Sequence, residues 1–197
     1  MSRWLSITVG VLLLSTIWVL PLAELTGGYF SEHMLRHMLL ITIICPMVVF
    51  GLSNSSRNLF AVSPLIASLI EFIVVWGWHV PQLHDLARAF WSVALLEQLS
   101  FFVAGVLLWH SVLRSGDALA GAGGLFLTTM HMTLLGALLI LSPRLLYQAE
   151  LCRLGGVEDQ QLGGMIMLGI GTPVYLIAGL FILSKALRLT GNEGAGQ

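Results

Sequence analysis

The sequence predicts an all-α integral membrane protein, built as a bundle of six transmembrane helices with both termini cytoplasmic. Hydrophobic residues make up 57% of the 197 residues and charged residues 10%, whereas an average soluble domain is about 45–50% apolar and about 25% charged. The apolar residues fall into six runs near the roughly 20 residues that a spanning helix needs. This composition excludes a soluble enzyme and a disordered protein. A net charge of −1 without a basic stretch excludes a nucleic-acid-binding protein.

The first two runs cover residues 4–22 and 33–52. The first is longer than the roughly 7–15 apolar residues of a signal peptide, so we predict an uncleaved span. Pro46 is expected to bend the second span, with the freed carbonyl finding another partner inside the bundle. A polar loop, residues 53–57, follows it.

The remaining runs cover residues 64–78, 91–112, 119–141 and 162–183. We therefore predict one six-helix transmembrane domain over residues 1–189 and a polar C-terminal tail over residues 190–197. Small residues at Gly105, Gly136, Gly163 and Gly164 are expected to let the helices approach closely. The two cysteines, Cys45 in an apolar run and Cys152 in a polar one, argue against a disulfide scaffold.

Orientation follows from the basic residues, because Lys and Arg favour the cytoplasmic side of a membrane. An even number of spans puts both termini on one side, and the first link contains no Lys or Arg. With the N-terminus inside, the cytoplasmic set is Arg3, Arg57, Arg114, Lys185 and Arg188. The outer set is Arg36, Arg88, Arg144 and Arg153.

Ionisable side chains are costly in a membrane and therefore mark functional sites. Under this topology most of them fall in one polar layer towards the outer side: His33, His37, His79, His84, Asp85, Glu97 and Asp159. His33 and His37 are four residues apart, which puts both imidazoles on one helical face, as a helical pair of metal ligands requires. The alternative is an interfacial pair bonded to water and lipid headgroups.

Met34 and Met38 repeat this spacing on the neighbouring face. They are either packing residues or soft thioether donors that favour Cu(I). His84 is expected to lie exposed beyond the end of span three, and Asp85 is a candidate carboxylate to orient a ligand.

Two further ionisable residues lie deep in the predicted bundle. His131 is about 15 Å below the nearer end of span five, whereas His37 is about 6 Å below the outer surface. A single metal site holding both would need tilted or displaced spans. Glu71 in span three is expected to be hydrogen-bonded inside the bundle, with His131 as one candidate partner. His110 at the inner end of span four is interpreted as interfacial.

From span two to span six the chain resembles the CtaG family of cytochrome c oxidase assembly factors, the multi-spanning kind associated with caa-type oxidases. The resemblance rests on the order and spacing of six short motifs: HMLRH at 33–37, WHVP at 78–81 with Asp85, LEQLSF at 96–101, His131 with LLGA at 134–137, SPR at 142–144 with Tyr147, and DQQLGG at 159–164. His84 stands where the family more often has an aromatic residue, and Gln98 stands where a histidine is common.

The resemblance implies a non-enzymatic protein of the bacterial cytoplasmic membrane that helps to form the copper centre of the oxidase. Its cargo would be copper, as Cu(I), received from a periplasmic donor on the outer side and delivered to the catalytic subunit. We expect His33, His37, His79 and His131 as the metal ligands. Met34, Met38, Asp85, Glu97 and Asp159 are expected as auxiliary or orienting residues. Homo-oligomers are compatible with the sequence.

Three alternatives stay open at the level of sequence. Histidines on spans two, three and five also suit a cytochrome with haem b held by two histidines. The chain could instead be a metal-free structural subunit of a respiratory complex. An apolar pocket for quinone is a further alternative.

Overall fold

The computed structural model describes residues 3–52, 62–147 and 155–194, and all regular secondary structure in these ranges is helical. The helices are α1 (Arg3–Val19), α2 (Leu22–Thr26), α3 (Tyr29–Leu39), a π-helical turn (Leu40–Ile44), α4 (Cys45–Gly51), α5 (Pro64–Trp78), α6 (Pro81–Ala89), α7 (Trp91–Arg114), α8 (Ala118–Leu141) and α9 (Gly156–Gly194). The predicted loop at 53–57, including Arg57, lies outside the described residues, as do Cys152 and Arg153.

Four helical stretches are long and apolar enough to cross a membrane: Tyr29–Gly51, Trp91–Arg114, Ala118–Leu141 and Gly156–Arg188. A helix of 24 residues is about 36 Å long, more than the roughly 30 Å of a bilayer core. Helices α5 and α6, which meet at a bend of 70°, would together make a fifth span. The chain is therefore a multi-pass helical membrane protein.

The first predicted span forms a helix, but one shorter than the four spanning stretches. Helix α1 has 17 residues, about 25 Å at 1.5 Å per residue, and packs against α4. At the other end of the chain, α9 starts earlier than predicted and continues to Gly194. The backbone is thus helical over the first residues of the predicted tail, and residues 195–197 lie outside the described part.

Close helix packing depends on glycine at several contacts, as the sequence predicted. Helices α8 and α3 both pack against α9. A Cβ at Gly164 would lie 2.8 Å from the carbonyl oxygen of Gly136, and one at Gly105 would lie 2.8 Å from Cys45 Sγ. Any larger residue would push these helices apart.

The second span passes through Pro46 by way of the π-helical turn. The Cys45 N–H donates to the Leu40 carbonyl five residues back, and Pro46 has no N–H to offer the Ile41 carbonyl. That carbonyl instead accepts a hydrogen bond of 2.7 Å from the Trp109 indole N–H of α7. The bend predicted at Pro46 thus takes the form of a π turn. The prediction that a freed carbonyl finds another partner inside the bundle is confirmed.

Glu71 lies fully buried in α5 and is hydrogen-bonded inside the bundle, as predicted. Tyr175 Oη donates to Glu71 Oε1 at 2.9 Å, and Thr128 Oγ1 donates to Oε2 at 3.1 Å. Ser68 lies 2.9 Å from Thr128 and extends the network. The candidate pairing of Glu71 with His131 is wrong, because hydroxyl groups of α8 and α9 take both carboxyl oxygens.

A candidate metal site in a buried histidine cluster

Four imidazole rings meet where α3, α5, α6 and α7 converge. This histidine cluster consists of His33, His37, His79 and His84, each at most 6% exposed. The centroid of the His33 ring lies 5.6 Å from that of His37 and 5.4 Å from that of His84. The centroid of His79 lies 5.6 Å from that of His37 and 6.3 Å from that of His33. The structure therefore brings together three of the four predicted ligands and adds His84.

The cluster is assembled from two local features of the chain. The i, i+4 spacing in α3 stacks His33 and His37 on one face, as expected. After α5, His79 caps the helix, Val80 is extended and Pro81 begins α6. Proline at the first helical position favours a helix start because its φ is already helical.

The expectation that His84 is exposed is wrong, since only 1% of the residue is accessible. Pro81 starts a new helix, and after the 70° bend α6 packs against α7, with the His84 ring beside those of Phe30 and His33 of α3. Within α6 the buried residues are His84 and Ala87. The His84 ring lies 4.2 Å from that of Tyr147 and 5.4 Å from that of Phe30. An inward-facing stripe of α6 thus closes one side of the cluster.

Six of the eight nitrogens of these rings are buried without hydrogen-bond partners among the described residues. They are His33 Nε2, both nitrogens of His37, His79 Nε2 and both nitrogens of His84. Leaving a buried polar atom unpaired costs about 1–3 kcal/mol. Several such atoms on neighbouring rings are free to accept a ligand such as water or a metal ion.

His79 is already oriented for metal binding. Its Nδ1 lies 2.6 Å from the Val75 carbonyl oxygen, and because a carbonyl only accepts, Nδ1 must carry the proton. The lone pair then resides on Nε2, which is among the unpaired atoms. A backbone carbonyl that fixes the tautomer in this way is a common feature of histidine metal ligands.

A carboxylate and an arginine complete the site. Glu97 of α7 is fully buried, with Oε1 3.7 Å from His33 Nε2. Arg88 of α6 donates to Glu97 Oε2, and Gln98 Nε2 lies 3.5 Å from the same oxygen. Asp85 Oδ1 lies 3.8 Å from His84 Nδ1. Glu97 and Asp85 thus occupy positions next to imidazoles, where an orienting carboxylate would stand.

The structure does not bring His131 into the cluster. Its ring packs edge-on against Phe72, with centroids 5.3 Å apart. Phe72 precedes His79 by seven residues, about 10 Å along α5. The ring contacts that connect the cluster within the described chain do not include His131.

Three of the predicted auxiliary residues have other partners. A Cβ at Gly163 would lie 2.9 Å from Met34 Cγ, and one at Gly171 would lie 2.6 Å from Met38 Cε. Both methionines are therefore packing residues between α3 and α9, the first of the two alternatives. Asp159 accepts hydrogen bonds of 2.9 Å from the backbone N–H groups of Phe30 and Ser31. It anchors the start of α3 and orients no imidazole.

The imidazole nitrogens of the cluster are of a type that binds copper, but they do not converge on one point. Imidazole nitrogen is a good ligand for copper. Among the described residues, no three His, Cys, Asp or Glu side chains are arranged so that they could hold a metal ion together. Two imidazoles on one ion have ring centroids up to about 6 Å apart, given metal–nitrogen bonds of about 2 Å. Neighbouring pairs in the cluster fall within this limit, which is a necessary condition for sharing an ion.

Sequence reasoning missed Arg88 and Tyr147 as neighbours of the cluster, besides His84. Tyr147 Oη donates to the His79 carbonyl at 3.2 Å and stacks against Phe30. One local signal was available: His84 and Arg88 are four residues apart in a segment that begins with proline, which is typical of a short amphipathic helix. Local sequence did not indicate Tyr147, because its hydrogen-bond partner His79 is 68 residues away in the chain.

Fold and site together define a multi-pass helical membrane protein with a buried histidine cluster between its helices. The family model for the cytochrome c oxidase caa3 assembly factor (Caa3_CtaG) matches residues 1–188. The chain belongs to this family, and the predicted resemblance is confirmed. No curated protein and no solved structure matches the chain.

Proposed function

We propose that this assembly factor binds Cu(I) in the histidine cluster and passes it to the catalytic subunit of cytochrome c oxidase. The observation that carries the proposal is the set of unpaired, buried imidazole nitrogens on α3, α5 and α6. Family membership supplies the oxidase as the object of assembly. The donor chemistry supports copper as the cargo.

The ligands in this proposal are His33, His37, His79 and His84. Cu(I) tolerates low coordination numbers, so two neighbouring imidazoles suffice to hold it while others stand ready to take it over. His37 and His79 are the best matched pair, because their rings are 5.6 Å apart and His79 already presents Nε2. His131 of α8 contacts Phe72, which lies about 10 Å from His79 along α5, and is not part of this site.

Glu97 and Arg88 set the charge around the bound ion. The Glu97 carboxylate beside His33 offsets a positive ion in a medium of low dielectric constant. Arg88 neutralises the same carboxylate when the ion is absent, which limits the cost of a buried charge. The pair thus lets the site alternate between loaded and empty forms.

We further propose that the cluster faces the outer side of a bacterial cytoplasmic membrane, where a periplasmic donor would load it. In this arrangement α1 is the first of six spans, the bent α5–α6 pair is the third and both termini are cytoplasmic. The absence of Lys and Arg from the link before α3 supports it.

Copper stoichiometry under reducing conditions tests the site. Detergent-purified protein is loaded with Cu(I) in the presence of ascorbate, desalted and measured for copper and protein by mass spectrometry. We expect the wild type to retain copper and the His33→Ala/His37→Ala double variant to lose it. A visible spectrum of the same preparation reports any haem, since a Soret band would favour the cytochrome alternative.

His110→Ala is the matched control. This histidine is also buried but lies 13 residues from Glu97, about 20 Å along α7. Circular dichroism and size-exclusion chromatography establish that each variant is folded. Copper retained by a folded double variant, or lost equally in the His110 variant, would overturn the assignment of the site.

A further inference from the structure

A short non-helical segment links the histidine cluster to the end of α8 and the start of α9. This segment, residues 142–147, follows α8 directly, and we call it the strap. Pro143 and Arg144 are exposed, whereas Tyr147 at its end is buried, with 4% of the residue accessible. Connecting segments ordinarily run over the surface of a protein. The burial of Tyr147 therefore has a specific cause in its contacts.

Gln160 of α9 ties the strap to the bundle. Its Oε1 accepts a hydrogen bond of 2.8 Å from the Leu146 N–H. Its Nε2 donates to the Arg144 carbonyl at 3.4 Å and to the Leu139 carbonyl of α8 at 3.3 Å. The side chain is fully buried, and these bonds use both the acceptor and the donor end of the amide. One residue of α9 thus holds the strap at two points.

Tyr147, held in this way, contacts two parts of the histidine cluster. Its Oη donates to the His79 carbonyl at 3.2 Å, which joins the strap to the turn between α5 and α6. Its ring centroid lies 4.2 Å from that of His84. The rings of Phe30 and His33 are farther from His84, both at 5.4 Å. Among these three neighbours, Tyr147 is the one packed most closely on His84.

We propose that Tyr147 is a positioning residue that shields the His84 nitrogens, and that the strap must move before a solute reaches them. Both nitrogens are buried without a hydrogen-bond partner in the described chain, although the side chain of the next residue, Asp85, is 14% exposed. His84 is thus adjacent to the surface but covered. The proposal rests on the proposed function in one respect, namely that copper is the solute that passes the strap.

The contacts of the strap allow it to move while the spans stay intact. Residues 142–147 form no helix, and the anchors described above are hydrogen bonds of Gln160 and Tyr147. Releasing the strap breaks these few bonds and leaves the helices folded. Local openings of this kind require less free energy than unfolding of the whole protein. In the proposed topology the end of α8 lies on the outer side, where a periplasmic donor would meet the strap.

Labelling of the metal-free protein with diethyl pyrocarbonate tests the shielding without copper. The reagent acylates unprotonated imidazole nitrogens, and mass spectrometry of peptides gives the rate at each histidine. We expect His84 to react about tenfold faster in Tyr147→Ala, since this variant loses a packed ring and a hydrogen bond. Tyr147→Phe keeps the ring and should stay close to the wild type. Gln160→Leu frees the strap and should react as Tyr147→Ala does.

Gln161→Leu is the matched control, because this neighbouring amide donates to the Ile140 carbonyl of α8 and not to the strap. It should label as the wild type does. His110 and His131 serve as internal references, since both are buried outside the cluster. Faster labelling of His84 with unchanged references supports the proposal.

Two results of the labelling would overturn the proposal. The first is an equal increase at His84 and at both reference histidines, which would show a general loosening of the bundle. The second is a wild-type rate at His84 in both Tyr147→Ala and Gln160→Leu. Because the two variants release the strap by different means, a folding defect in one leaves the other to decide.

Release of copper to a chelator measures passage past the strap. Protein loaded with Cu(I) is mixed with bathocuproine disulfonate, a water-soluble Cu(I) chelator, and the coloured complex is followed in time. We expect faster release from Tyr147→Ala and Gln160→Leu and an unchanged rate from Gln161→Leu. Equal rates in all variants would overturn the role of the strap in copper passage. A wild type that binds no copper would refute the proposed function alone, because the labelling of His84 decides the shielding by itself.

Discussion

At the scale of single residues, Asp159 shows how one carboxylate fixes the helix that carries two of the histidines. Its oxygens accept from the N–H groups of Phe30 and Ser31, the second and third residues of α3, a position where the helix dipole also favours negative charge. The N-cap, Gly28, has no side chain, and a Cβ there would overlap the Asp159 carboxylate. The contact joins the start of α9 to the start of α3.

Asp159→Ala is expected to destabilise the protein by about 1–3 kcal/mol, because it leaves two buried backbone N–H groups without an acceptor. The free energy of unfolding in mixed detergent micelles measures this effect. Glu158→Ala is the control, since Glu158 is the neighbouring carboxylate and is exposed. Equal stability of the two variants would contradict the capping role.

The sequence located most of the residues of the site but not their partners. Spacing within α3 was enough to put His33 and His37 on one face. The role of Asp159 could not be predicted from local sequence, because the backbone N–H groups that donate to it are 128 and 129 residues away. The burial of His84 depended on whether the chain after Pro81 returns over the surface or packs against the bundle, and local sequence does not encode that angle.

At the scale of elements, the π turn of the second span depends on a neighbouring helix. Pro46 deprives the Ile41 carbonyl of its donor, and Trp109 replaces it. In the membrane interior water does not compete for this carbonyl, so the indole is its main source of a hydrogen bond. The stacking of Trp109 on Tyr175, at 5.7 Å between centroids, holds the indole in place.

Trp109→Phe is expected to cost about 1–3 kcal/mol of stability by leaving that carbonyl unpaired. Trp76→Phe is the comparison, because the Trp76 indole N–H has no hydrogen-bond partner among the described residues. Pro46→Ala in the Trp109→Phe background restores a backbone N–H and should recover part of the loss. Unfolding in mixed micelles gives all three values, and a loss in Trp76→Phe as large as in Trp109→Phe would refute the explanation.

Proline positions were readable from the sequence, whereas their structural outcomes were not. Pro46 and Pro81 both signal a departure from a regular helix. One produces a π turn inside a continuing span and the other a 70° bend with a new helix. At Pro46 a neighbouring helix supplies the donor for the freed carbonyl, whereas at Pro81 the Gly77 carbonyl four residues back accepts from the Val80 N–H of its own turn.

At the scale of the whole molecule, composition predicted a multi-pass helical membrane protein. The fraction of charged residues is too low for a soluble fold. The number of spans was harder to predict from the sequence, because α1 has only 17 residues and the third predicted span is bent. Length alone does not determine whether such helices cross a bilayer.

The proposed topology makes a direct prediction for fusions at the two termini. Green fluorescent protein fused to either end is expected to fluoresce in a bacterial host, because both ends would be cytoplasmic. Alkaline phosphatase fused at the same positions should be inactive. An active phosphatase at one terminus only would mean an odd number of spans and would exclude the six-span arrangement.

The π turn divides the second span into two halves, α3 and α4. The faces that these two halves turn towards their neighbours are determined separately. Each residue of an α-helix advances about 100° around the axis. A one-residue insertion or deletion within Leu40–Ile44 would therefore turn α4 against α7 while His33 and His37 stay anchored through Asp159. The face of α3 that carries the histidines and the α4 half of the span can therefore change independently. Contacts made by α4 can diverge among related proteins without disturbing the histidine cluster.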